Sequence, residues 1–449
     1  MNRAYVFPGQ GAQVVGMGQA LAEAYPEARL VFEEVDDALS LSLSKIIWAG
    51  EIEELTLTEN AQPALMATSI AAFRAMETEG VTSDKVKFFA GHSLGEYSAL
   101  CASGALELGD TARLLQLRGK SMQKAAPSGE GAMAAILGLD LKLVEQIAHD
   151  AAQSQICQAA NDNDPNQIVI SGNVAAVERA IIIAKEKGAK RAILLPVSAP
   201  FHCELMRPAS ETMRKAFEDI NFKQPSAPVI ANYTALPEID PEQFKILLVN
   251  QITGSVRWRE SVTYMAQNGI SEIIEIGSGK ALSGMIRRID RDINCHNIGS
   301  PEDLNKFEDT LKTLNVETVK YNGIGSLIFS NKGNLNLSLS LTQPNTPAVL
   351  IYTSGTTGVP KGALLSHKNV LAGGRNTALA HEVVSTDVSF CVLPLYHINA
   401  EMVSIASALV SNSCVVTVSK FSVSNFWQVI EKYRCTWFSV VPTIINYLL

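Results

Sequence analysis

The feature that most restricts what this chain can fold into is a five-residue turn, Gly91-His92-Ser93-Leu94-Gly95, between a strand pattern at Val86–Ala90 and a helix pattern at Glu96–Ala102. A glycine-x-serine-x-glycine turn joining a buried strand to a helix lifts the serine hydroxyl above a sheet edge, and its small glycines relieve the crowding. The helix that follows points its first amide hydrogens at any oxyanion formed there. The spacing predicts a nucleophile at Ser93 within an α/β domain. The plain alternative is a glycine turn with an incidental serine.

Around this turn, from Tyr5 to about Leu311, short apolar runs alternate with longer amphipathic patterns, which predicts a largely parallel sheet flanked by helices. One stretch reads differently. The spacing predicts strand at Ala132–Leu137, helix at Lys142–Asp150, strands at Ile156–Ala160 and Gln167–Ser171, helix at Val174–Lys187 and strand at Arg191–Leu195. That β-α-β-β-α-β order is ferredoxin-like, so a small subdomain inserted over about residues 130–197 is expected. From Lys312 to Thr346 the chain turns to Asn, Ser, Gly and Leu alternation, the pattern of a linker. Beyond it Ala348–Tyr352 reads as a buried strand. The expected division is therefore 1–311, a linker at 312–346, and 347–449, in keeping with a chain of 449 residues needing more than one core.

Composition excludes several classes of function. A formal charge of −8 without a basic, aromatic-rich cluster disfavours nucleic acid as partner. No run approaches the roughly 20 apolar residues that a membrane helix needs. Met402–Val418 comes nearest but is broken by Ser407, Ser411, Asn412 and Ser413, and reads as a core helix followed by a buried strand. Met1–Phe7 runs straight into a strand pattern without the zones of a secretory signal, so a cytoplasmic protein is expected. The seven cysteines form no C-x-x-C pair, which argues against a disulfide framework or a metal site.

A serine hydroxyl needs a base, normally an imidazole within hydrogen-bond reach. Among seven histidines, His202 in Ser198-Ala199-Pro200-Phe201-His202-Cys203 lies in a proline-bearing loop returning from the expected insert, a place from which it could reach across a cleft. On the residues alone it ranks first, with a solvent-exposed loop histidine as the open alternative. His92 neighbours Ser93 but points elsewhere if the turn is an elbow.

Four segments together carry a resemblance. Phe7-Pro8-Gly9-Gln10-Gly11-Ala12-Gln13, Gly91-His92-Ser93-Leu94-Gly95-Glu96, Leu115-Gln116-Leu117-Arg118-Gly119-Lys120 and Ser198-Ala199-Pro200-Phe201-His202 occur in the order and spacing of malonyl-CoA:acyl-carrier-protein transacylases, and Ile274–Lys280 adds a fifth. Residues 3–311 resemble that family, which implies an α/β-hydrolase-like core with a ferredoxin-like insert. It also implies malonyl transfer from coenzyme A to acyl carrier protein for fatty acid synthesis, with malonyl-CoA as substrate and no cofactor. Position by position, it implies Ser93 as nucleophile, His202 as general base, and the amides of Gln10 and Leu94 as the oxyanion hole. Arg118, otherwise a routine exposed helix arginine, becomes the carboxylate ligand, a task suited to a planar guanidinium. The Gln251 backbone carbonyl would orient the histidine, and Asn161 would line the pocket, although Asn161–Asp164 also suits an ordinary turn. A serine hydrolase or thioesterase sharing the elbow is the alternative.

Thr353-Ser354-Gly355-Thr356-Thr357-Gly358-Val359-Pro360-Lys361 is similar to the phosphate loop of adenylate-forming enzymes, and Val392–His397 and Val440–Thr443 resemble later stretches of that family. Its hydroxyls, glycine amides and Lys361 suit ATP with magnesium, which makes an acyl-CoA ligase the other alternative. The resemblance covers about 345–449 and lacks the family's aromatic-glycine-x-threonine-glutamate segment, ribose-binding aspartate and catalytic lysine. A truncated α/β adenylation fragment that forms no acyl-adenylate by itself is therefore expected.

Overall fold

Arg3–Phe7 is a strand in which all five residues are buried. An apolar run covered on both faces belongs inside a parallel sheet flanked by helices. The computed structural model places it there, between Val86–Gly91 and Glu272–Ile276, both parallel to it. Asn294–Ile298 adds beyond Glu272–Ile276, and Val229–Ile230 beyond Val86–Gly91, again in parallel. Pro237–Glu238 closes the sixth position antiparallel. Alternation along the strand sends Tyr5 and Phe7 to one face, where Tyr5 meets Phe73 and Phe89 edge-on at 6.1 and 5.8 Å between ring centroids. Ala4 and Val6 turn to the other face, against Phe88, Trp258 and Met265.

The structure describes residues 2–79, 81, 86–127, 129–197, 199–314, 345, 347–353, 361–393, 399–418, 421–441, 444–445 and 448. They fall into two compact units, Met1–Leu314 and Asn315–Leu449.

Within the first unit, Gly131–Leu137, Cys157–Asp164, Gln167–Asn173 and Arg191–Leu194 form a separate antiparallel sheet. The helices Leu141–Ala152 and Val174–Glu186 pack on it around Ile136, Ile147, Ile170 and Val177. The second strand extends past the expected Ala160 to Asp164, so Asn161–Asp164 is buried strand rather than turn. The physical reason is charge pairing. Arg259 and Arg288, from outside this sheet, hold Asp162 and Asp164 at 2.9 and 2.8 Å, which makes burial of those carboxylates tolerable.

The second unit contains an antiparallel hairpin, Pro347–Thr353 with Lys361–Ser366, and a parallel sheet ordered Cys414–Thr417, Val388–Cys391, Trp437–Ser439. Phe390, Val392, Phe426 and Ile444 make its core. Two expectations change here. The strand expected to be buried at Ala348–Tyr352 is one arm of the hairpin, with Ala348 exposed. Within Met402–Val418, a π-helical segment, Asn399–Ala406, leads into the short helix Ser407–Ser411. The strand after it sits at a sheet edge, where having one neighbour leaves Cys414 and Thr417 exposed. Lys312–Leu314 of the expected linker end the helix Pro301–Leu314; residues 315–344 and 346 lie outside the described residues, as do Ser354–Gly358 of the phosphate loop. Thr353 and Lys361 face each other as register partners across the hairpin.

All seven cysteines are free thiols. Among the described residues, no helix is long and apolar enough to cross a membrane, and no cluster of His, Cys, Asp or Glu has the arrangement of a metal site.

Candidate active site

Ser93 stands at the end of the Val86–Gly91 strand with φ of +55°, a left-handed conformation that costs a non-glycine residue about 1–3 kcal/mol and persists only when its surroundings enforce it. Two neighbours do so. The Ser93 amide donates to Asn232 Oδ1 at 2.7 Å, and Asn232 Nδ2 donates to the Gly91 carbonyl, also at 2.7 Å. Gly95 lets the elbow press against the loop that follows the first strand, since a Cβ there would lie 2.3 Å from the Phe7 carbonyl oxygen. That approach brings the loop bearing Gln10 beside the elbow. Leu94 is the N-cap of the helix Gly95–Ala102, so its amide has no acceptor within the helix.

The His202 ring reaches the serine from the loop after the insert. Its Nε2 lies 2.7 Å from Ser93 Oγ, and its Nδ1 lies 2.8 Å from the Gln251 carbonyl. A carbonyl oxygen only accepts, so Nδ1 carries the hydrogen and the Nε2 lone pair faces the serine hydroxyl. The imidazole is buried rather than an exposed loop histidine. Burial, reinforced by the nearby Arg118 charge, pulls its pKa from 6.5 down to about 3, so it is neutral and able to accept a proton across the physiological range. Unfolding would restore an ordinary imidazole, so this burial costs stability only as pH falls below about 6.5. The acid limb of kcat/KM should accordingly be missing at its usual place. Activity should not fall between pH 7 and pH 5, and a loss of activity toward acid centred near 6.5 would contradict the burial of His202.

Arg118 is the largest departure from what its sequence position suggests. It is 2% exposed, on the helix Leu108–Ala125. That helix lies so close to the helix Thr58–Thr78 that a Cβ on Gly119 would sit 2.5 Å from the Thr58 carbonyl oxygen. The close approach turns the guanidinium inward. Nη1 donates to Gln62 Oε1 at 2.7 Å, while Nη2 donates to Gln251 Oε1 at 2.9 Å and to Ser93 Oγ at 3.2 Å. Nε has no hydrogen-bond partner, and the charge stacks over Tyr97 with 5.6 Å between Cζ and the ring centroid. The result is a buried cation beside a nucleophile, held by neutral amide oxygens.

Gln251 joins the parts. Its backbone holds His202; its side-chain Nε2 donates to the Ser93 carbonyl at 3.0 Å and to Glu96 Oε2 at 2.8 Å. Asn161 is buried in its strand and bridged to Val256, and its side chain makes no hydrogen bond to Ser93, His202 or Arg118. His92 turns to Asn163 Oδ1 at 2.9 Å, as an elbow requires. A cavity of about 510 Å³ lined by Thr68, Ser278, Lys280, His296 and Asp303 contains none of the predicted site residues. Sequence reasoning assigned nothing to Gln62, Asn232 or Glu96. The signals for Gln62 and Glu96 were polar side chains inside otherwise apolar helical runs; Asn232 left none.

A sheet whose strand ends in a serine elbow, with a neutral imidazole on the hydroxyl, defines the class of domains that transfer acyl groups through serine. Residues 4–293 match the family described as acyl transferase domain. The chain belongs to that family, among the malonyl CoA-acyl carrier protein transacylases. It is 45% identical to the Bacillus subtilis (strain 168) malonyl CoA-acyl carrier protein transacylase over 70% of this chain and 98% of that protein. Against the Escherichia coli (strain K12) protein of the same name it is 43% identical, covering 64% of this chain and 92% of the other. The crystal structure of acyl-carrier-protein-S-malonyltransferase from Bartonella henselae superimposes with a TM-score of 0.68 at 55% identity, over 70% of this chain and all of that one (100%). Residues 294–449 match the AMP-binding enzyme family. That match begins inside the first unit, because Asn294–Ile298 is a strand of its parallel sheet.

Proposed function

We propose that this enzyme transfers the malonyl group of malonyl-CoA to the phosphopantetheine thiol of acyl carrier protein, serving fatty acid synthesis, through an ester on Ser93. The observation that carries the mechanism is the hydroxyl of Ser93 at 2.7 Å from His202 Nε2 and 3.2 Å from Arg118 Nη2. Arg118 takes the malonyl carboxylate and so aligns the thioester carbonyl over Ser93. As Ser93 Oγ attacks that carbon, its proton passes to His202 Nε2, and the Gln10 and Leu94 amides take the oxyanion. Collapse breaks the carbon–sulfur bond, and His202 returns the proton to the departing thiolate of coenzyme A. The carrier protein's thiol then reverses the steps, with His202 as base and Ser93 as leaving group. Gln251 holds the imidazole tautomer through its carbonyl, and Asn161 lines the pocket. One solved structure of a relative is of a type II PKS acyl-carrier protein in complex with its malonyl-transacylase, which fits a carrier protein as second substrate.

Finer features of the fold belong to the same proposal. The parallel sheet with its elbow is α/β-hydrolase-like, and the inserted sheet, whose own first and third strands lie inside and whose second and fourth lie at the edges, supports a ferredoxin-like reading. Residues 1–311 act as the transferase in the cytoplasm, 312–346 link, and 347–449 form an adenylation fragment. For that fragment the proposal is that Thr353, Lys361 and the loop between them do not activate an acid with ATP and magnesium unaided.

Intact-mass measurement after mixing with malonyl-CoA should show one malonyl adduct on Ser93, discharged by carrier protein. Loss of the adduct to water alone would favour a hydrolase. Acid-dependent exchange of pyrophosphate into ATP should be absent, and a robust rate would overturn the reading of 347–449.

A further inference from the structure

Arg118 makes no ion pair among the described residues, and buried cations without one are costly. The carboxylate that balances it is Glu96, which is 0% exposed and reaches Arg118 through a single amide. Glu96 Oε2 accepts from Gln251 Nε2 at 2.8 Å, and Gln251 Oε1 accepts from Arg118 Nη2 at 2.9 Å. The Asn232 amide also donates to Glu96 Oε2, at 3.0 Å, while Oε1 has no partner. This spacing balances the guanidinium's charge without placing a carboxylate on its donors, one of which meets Ser93 Oγ at 3.2 Å.

A malonyl carboxylate arriving at Arg118 creates an imbalance. One buried cation would then serve two carboxylates in a site of low dielectric, and like charges so placed do not both ionise. Resting on the malonyl-transfer reading above, we propose that the substrate carboxylate displaces Glu96 as counter-ion of Arg118, so that loading the malonyl group places one proton on Glu96. The balance is complete: malonyl thioester, serine hydroxyl, the Glu96 carboxylate and one solvent proton give malonyl ester, coenzyme A thiol and a neutral Glu96. The free Oε1 supplies the place for that proton. Groups around Glu96 support this assignment. Tyr97 on its own helix has its pKa raised by burial and stays protonated, and Gln251 and Asn232 from the two facing segments do not titrate. His202 beyond Gln251 and His92 in the elbow are held neutral by burial, which leaves Arg118 as the single charge facing Glu96. Burial also raises the Glu96 pKa to about 7, so its proton is exchangeable near neutrality.

The test is proton uptake during single-turnover acylation of the full chain, read with an indicator dye in weak buffer at pH 8. About one proton per malonyl-enzyme is expected. Acyl-enzyme formed without uptake would overturn this inference and leave the transfer reading standing, whereas no acyl-enzyme at all would end both. Glu96→Gln preserves an acceptor for Gln251 and removes the titration. In the native protein KM for malonyl-CoA should rise about tenfold per pH unit above pH ~7. In Glu96→Gln it should be flat, and inhibition by free coenzyme A, which lacks the carboxylate, should show the same pH response in both. A variant KM that keeps the native slope would assign the titration elsewhere. The wild-type proton count decides the matter if the variant does not fold.

Discussion

Ser93→Ala should abolish malonyl labelling and lower transfer by about 10⁴-fold or more, because without the hydroxyl no covalent route remains. The fold should survive. Alanine meets the same left-handed backbone at position 93 that serine already occupies, and the amide bond to Asn232 and the glycine contacts of the elbow do not involve the hydroxyl. What disappears is the hydrogen bond to His202 and the longer one from Arg118. The checks are intact mass after exposure to malonyl-CoA and thermal unfolding followed by circular dichroism. Labelling of Ser93→Ala at the native rate would place the nucleophile elsewhere.

The second large effect concerns choice of substrate. Arg118→Ala should reduce the preference for malonyl-CoA over acetyl-CoA by about 10²–10³-fold, the range for removing one partner of a buried charge pair. Because Gln62 and Gln251 would each lose a donor, the alanine variant also loses stability. Arg118→Lys separates the two effects. It keeps the charge and loses the planar fork, so it should fall between the native enzyme and the alanine variant. The measurement is kcat/KM for both thioesters in each variant. An unchanged ratio in Arg118→Ala would remove Arg118 from carboxylate recognition.

Much of the candidate site was legible because its motifs are local. The elbow at 91–95 carries its mechanism in five consecutive residues. The strand-helix order of residues 132–195 follows from periodicities that side-chain alternation imposes. Arg118 was not legible in the same way. A guanidinium at that point of an amphipathic helix reads as exposed, and only the close approach at Gly119 turns it inward. Asn161–Asp164 misleads for a similar reason, since nothing nearby reveals that Arg259 and Arg288, about a hundred residues away in the chain, neutralise two of its members.

The sequence by itself determined which residues could do chemistry: a serine in a turn that must expose it, a family of motifs in order, and a second module with its own phosphate-loop pattern. Tertiary structure alone decided their electrical state. Whether His202 is neutral, whether Arg118 is paired, and which way the Gln251 amide points depend on burial and on partners from five separate segments, brought together by the packing of helices on a parallel sheet. Solvation and charge are properties of the space around a group, and the residues that fill that space are distant along the chain.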